Sequence, residues 1–76
     1  MSKYEITLRL KNELTAEQQT AFCDKLKFSL KKSKVKGKFL ILTGKSKLEI
    51  DDDWIDKAIR AADAKKDISD VQFASE

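Results

Sequence analysis

The sequence predicts an α+β domain of four antiparallel strands and two helices in the order β-α-β-β-α-β, and three observations carry that expectation. Residues 3–11 alternate apolar and polar at the two-residue period of a half-buried strand. Two stretches, opened by Thr15 and by the aspartates at 51–53, combine N-cap chemistry with apolar residues at helical spacing. Between them an apolar run ends in a Gly-Lys pair of the kind that closes a hairpin, and a short alternating segment follows.

The first strand sets Tyr4, Ile6, Leu8 and Leu10 on one side and Lys3, Glu5, Thr7, Arg9 and Lys11 on the other. Thr15 with Gln18 three residues later is a capping box, and Leu14 precedes it in the position of a hydrophobic staple, so a helix is expected over 16–33. At 100° per residue, Phe22, Cys23, Leu26 and Leu30 share a face with Ala16 and Gln19. Phe28 falls on the opposite face of that helix, beside Ala21, Lys25 and Lys32.

Phe39-Leu40-Ile41-Leu42-Thr43 leads into Gly44-Lys45, a pair suited to a type II′ turn, with residues 46–50 returning as the third strand. Counting across that turn pairs Thr43 with Ser46, Ile41 with Leu48 and Phe39 with Ile50 on the core face, and turns Leu40 and Leu42 outward. Asp51, Asp52 and Asp53 then supply an N-cap and first-turn charge for a second helix. Its apolar face is Trp54, Ile55, Ala58, Ile59 and Ala62, and its end is expected near Lys65-Lys66. A last strand over 68–74 places Val71 and Phe73 opposite Asp70 and Gln72. With both helices on one face of the sheet, this is the ferredoxin-like split pattern; without the short third strand it reduces to β-α-β-α-β.

At 76 residues the chain supports one core, and residues 1–76 are expected to form a single domain. Apolar residues make up 41% and charged residues 38%, inside the globular range. No apolar run approaches the ~18 residues needed to span a bilayer, and Met1-Ser2-Lys3-Tyr4-Glu5 lacks the order of a signal peptide. A lone Cys23 rules out an intrachain disulfide, which favours a reducing compartment, so the expected location is cytoplasmic and no membrane partner is expected.

Histidine is absent, which removes the commonest general base and the commonest zinc ligand. Cys23 on the buried helix face has no base to activate it. Asp51, Asp52, Asp53 and Asp56 are explained by capping and dipole compensation and do not gather as metal ligands. Thr43-Gly44-Lys45-Ser46 resembles the end of a Walker A loop, but Phe39 stands where its first glycine belongs and a strand follows. Neither a catalytic site, nor a metal site, nor a cofactor is expected.

The charge distribution points to binding instead. The net charge is +3, yet residues 1–24 sum to −1, residues 25–48 carry nine lysines and no acid, and residues 49–76 sum to −5. Lys25, Lys27, Lys31, Lys32, Lys34, Lys36 and Lys38 are expected to crowd the second half of the first helix and the loop after it. Phe28, exposed among them, would be a binding anchor, and Leu40 and Leu42 would form an apolar stripe on the open sheet face.

The expected function is that of a small non-catalytic regulator, inhibitor or adaptor docking on a protein partner with an acidic surface. The docking residues would be Lys25, Phe28, Lys31, Lys32, Lys34, Lys36, Lys38, Leu40 and Leu42. The alternative is largely sequence-independent nucleic-acid binding by the same lysines. Against it stand 14 Lys to only 2 Arg and the absence of an aromatic expected on the open face. Lys36-Gly37-Lys38-Phe39-Leu40-Ile41-Leu42-Thr43 also fits the RNP1 pattern of RNA-recognition motifs poorly, with Lys38, Leu40 and Thr43 at its aromatic positions and an expected place in the second strand. A homodimer through the open sheet face is a further possible assembly.

Overall fold

The helix caps at Thr15 and Asp51 and the alternations of the first and last strands are found in the computed structural model, which describes residues 2–75, whereas the alternating segment 46–50 forms no strand of its own. The elements are β1 (Ser2–Leu10), α1 (Ala16–Lys25), β2 (Phe28–Lys36), β3 (Phe39–Ser46), α2 (Asp52–Ala61) and β4 (Ile68–Ser75). The strands form one antiparallel sheet in the order β2-β3-β1-β4, so the β-α-β-β-α-β layout is ferredoxin-like. Neither helix is long and apolar enough to cross a membrane.

Strand β1 behaves as its alternation requires: Tyr4, Ile6 and Leu8 are buried beneath the helices. The register puts Ile6 beside Leu42 and Phe73, and Leu8 beside Leu40 and Val71, so these side chains share the core face. Leu14, Phe22, Cys23 and Leu26 close the core from the α1 side, and Ile55, Ala58, Ile59 and Ala62 from the α2 side. Thr15 Oγ1 accepts from the Gln18 N–H at 3.1 Å and Gln18 Oε1 accepts from the Thr15 N–H at 2.9 Å, completing the capping box. Asp51 caps α2 by accepting from the Trp54 N–H at 2.9 Å.

The stretch from 26 to 50 departs from expectation. Helix α1 stops at Lys25, because Lys27 adopts φ +49°, a left-handed closing residue without glycine. Residues 28–36 are the second strand, and the hairpin turns at Gly37-Lys38, where Gly37 has the positive φ of +61° that a type II′ turn needs at its first position. Gly44-Lys45 is therefore inside β3, and residues 47–51 connect β3 to α2. Helix α2 also ends earlier than Lys65-Lys66, at Ala61, with Asp63 at φ +53° beyond its cap.

Gly44 has a packing role in place of a turn role. A Cβ there would collide with the Ser29 carbonyl oxygen and lie 2.8 Å from Phe28 Cε2, so its bare backbone lets the Phe28 ring lie across β3. Ser46, fully buried, donates its hydroxyl to the Leu26 carbonyl at 2.8 Å and accepts from the Leu48 N–H at 3.0 Å. The Gly-Lys-Ser sequence thus fastens the end of α1 to β3, and its hydroxyl is already committed.

Candidate functional site

Among the described residues three large apolar side chains are exposed, Leu30 (44%), Val35 (70%) and Phe39 (43%), and all belong to the β2–β3 hairpin. Lysines concentrate on the same hairpin, so the candidate site is built there.

The strand register fixes what each lysine stands beside. Across the face away from the helices run the rows Lys36–Phe39–Arg9–Asp70, Lys34–Ile41–Thr7–Gln72 and Lys32–Thr43–Glu5–Ala74, followed by the pair Lys45–Lys3. Lys32, Lys34 and Lys36 form a column along the sheet edge, with Phe39 and the half-buried Ile41 as the apolar pair next to it. A shallow depression of about 250 Å³ lies beside Phe39, lined by Thr7, Arg9, Asp70 and Gln72. A smaller one is bordered by Lys3, Lys31 and Lys45. Among the described residues the one ion pair is Arg60–Asp56, on α2, so no described carboxylate holds any of these cations.

The structure relocates most of the residues expected to bind. Lys25 is exposed at the end of α1 and Lys38 in the turn, while Lys31, Lys32, Lys34 and Lys36 are exposed on a strand and not on a helix. Phe28 is buried, because in a strand its side chain enters the core over Gly44, so it is not an exposed anchor. Leu40 and Leu42 are likewise buried, at 2% and 0% exposure, and form no outward stripe. Moving the turn from Gly44 to Gly37 changes the pairing partners of β3 and inverts which of its side chains face the helices. The apolar pair on the open face is the exposed Phe39 and the half-buried Ile41, two residues that a turn at Gly44 would place in the core.

Other sequence features find structural uses. Burial, with the nearby Asp24 carboxylate, pushes the Cys23 thiol up to about 11, which keeps it protonated and poorly nucleophilic. Asp51 caps a helix and Asp56 accepts from Arg60 Nε at 2.9 Å. Among the described residues no three His, Cys, Asp or Glu side chains come together as a metal site would require. Trp54 is half-buried, with Lys57 Nζ 4.9 Å from its ring centroid.

The segment 36–43 runs from the last residue of β2 through the turn into the third strand, where residues 39–43 lie, and it brings an aromatic ring, Phe39, onto the open face. Its RNP1 aromatic positions still fall on Lys38, Leu40 and Thr43, so Phe39 stands one place out of that register. Comparison with protein-family models, curated proteins and solved structures returned no match.

Proposed function

We propose that this protein is a non-catalytic binding protein of regulator or inhibitor type that docks an acidic protein surface onto the basic half of its open sheet face. One observation carries the proposal: Arg9, Lys32, Lys34 and Lys36 flank the exposed Phe39 and the half-buried Ile41, Lys3, Lys31 and Lys45 continue the same face, and none of them is paired with a carboxylate among the described residues. An apolar centre within a charged rim is the anatomy of a protein interface, and the cations would steer an acidic partner into register. A protonated, buried Cys23 and carboxylates already engaged in caps and pairs support a non-catalytic role. The same buried thiol suits a cytoplasmic setting.

The test is affinity capture from the native host with the wild type, Phe39→Ala and Lys32→Glu/Lys34→Glu/Lys36→Glu, each checked for an unchanged fold by circular dichroism. A partner held by the wild type is expected to be lost from both variants. Recovery of the same proteins with all three would overturn the proposal. Two copies pairing through the same face would instead double the mass in sedimentation velocity, in a Phe39-dependent way.

A second function, single-stranded nucleic-acid binding, is favoured by one feature: Phe39 on the third strand between Lys36 and Arg9 offers a ring to stack on, with cations for phosphates. Fluorescence anisotropy of labelled oligo-dT and oligo-U at low salt tests it. Binding that weakens steeply with salt and is lost with Phe39→Ala supports it, and absence of binding at low salt sinks it.

A further inference from the structure

Strand β2 is an edge, bonded to β3 on one side only. The direction of its backbone groups follows from the ladder. The Leu10 N–H donates to the Lys38 carbonyl at 2.7 Å, which orients Lys38 and Leu40 toward β1. Phe39 and Ile41 therefore bond toward β2, to Lys36 and Lys34, and the alternate residues Val35 and Ser33 aim their N–H and C=O groups outward.

The side chains alternate with the backbone groups. Val35 shares the helix-side face with Leu40, and Leu30 shares it with Gly44, although five positions separate Leu30 from Val35. The register shift between Leu30 and Lys32 absorbs the odd residue and brings both onto one side. Helix α1 does not cover them, and two adjoining grooves lie between it and the edge. One of about 310 Å³ is lined by Leu10, Leu14, Gln19, Val35 and Leu40. The next, of about 590 Å³, is lined by Leu14, Gln19, Cys23, Phe28 and Leu30. Glu13, Leu14 and Gln19 border both, so the grooves adjoin to form a channel between α1 and the edge, with the carboxylates of Glu13 and Asp24 on its α1 side and none on the β2 side.

Charge selects the occupant. The strand carries Lys31, Lys32, Lys34 and Lys36 and no acid, so antiparallel pairing with a second copy of β2 would oppose like charges. We infer that the outer edge of β2 accepts, as an added strand, an extended acidic segment of a protein partner whose alternate apolar side chains enter this channel. The inference rests on the protein-partner function proposed above and specifies the segment such a partner offers. Its apolar residues at positions i and i+4 would meet Leu30 and Val35, and its carboxylates would meet Lys32, Lys34 and Lys36 on the other face.

The probe is the capped peptide (Glu-Val)4, compared with (Lys-Val)4, followed by amide hydrogen exchange and chemical-shift mapping on the whole protein. Saturating (Glu-Val)4 is expected to slow exchange at Ser33 and Val35 at least tenfold, leaving Lys34 and Lys36, already bonded to β3, unchanged. Val35→Pro removes one outward donor, and Val35→Asp keeps the donor but puts a carboxylate in the channel; each should weaken the peptide at least tenfold. The Lys32→Glu/Lys34→Glu/Lys36→Glu variant should prefer (Lys-Val)4. Shifts confined to Phe39, Ile41 and Arg9 without slowed exchange would overturn strand addition and leave the docking face standing. Failure of (Glu-Val)4 to bind at millimolar concentration overturns strand addition as well, and the capture experiment then decides the parent proposal separately.

Discussion

The two edges of the sheet are built oppositely. At the β4 edge, Val71 and Phe73 pack against the core and Asp70 and Gln72 face away, so its apolar side chains are largely covered. At the β2 edge only Phe28 is covered; Leu30 and Val35 stand open on the helix side, and the other side is a column of lysines. Both edges have one free row of backbone groups, but only β2 adds grooves bordered by Leu30 and Val35 on one face and, on the other, lysines that no carboxylate among the described residues pairs with. The ferredoxin-like layout is near-symmetric in its elements, and the uncovered gap between α1 and β2 breaks that symmetry.

The comparison is broken most severely at Phe28, the one residue that ties the β2 edge into the core. Phe28→Ala removes a buried ring resting on Gly44, and is expected to destabilise by about 3 kcal/mol, at the low end for buried phenylalanines because the site lies at the rim of the core. Urea denaturation reads this directly. Loss of less than about 1 kcal/mol would mean that β2 is held by its ladder with β3 alone.

The fold was legible wherever local chemistry and tertiary position agree. The alternation of β1, the Thr15–Gln18 box, the Asp51 cap, the apolar face of α2 and the Val71/Phe73 strand all appear in the structure as their patterns imply. The segment after Phe22 carries two periods at once. Phe22, Cys23, Leu26 and Leu30 repeat at helical spacing, while Leu26, Phe28 and Leu30 alternate with Lys25, Lys27, Ser29 and Lys31 at strand spacing. Phe28, the misfit on the helix, was the sign that the second period applies. Gly37-Lys38 and Gly44-Lys45 are the same dipeptide, and only pairing with a strand before the turn separates them. A turn at the later one turns Leu40 and Leu42 outward and Phe39 inward and pairs 39–43 with 46–50 instead of with 28–36, so the pattern read that way points to the opposite face of β3.

Lys27 marks the point where α1 gives way to the edge strand, and it sharpens the comparison from the other direction. Its φ of +49° costs a side-chain-bearing residue what glycine avoids. Lys27→Gly is therefore expected to stabilise by roughly 0.5–1 kcal/mol, seen as a higher urea midpoint with unchanged slope. A fall in stability would show that the Lys27 side chain contributes more than its backbone strain costs.

The smallest expected effect separates the edges most cleanly. Val71→Ala at the covered edge should cost about 1 kcal/mol, since it removes partly buried methyl groups packed on the core. Val35→Ala, at a residue 70% exposed, should change stability by no more than about 0.5 kcal/mol in either direction. Val35 therefore contributes little to folding while lining a groove beside Leu14 and Leu40, which leaves its apolar surface available to a partner. Equal losses in the two variants would mean that the outer face of β2 is covered in solution, and the asymmetry on which strand addition depends would fall with it.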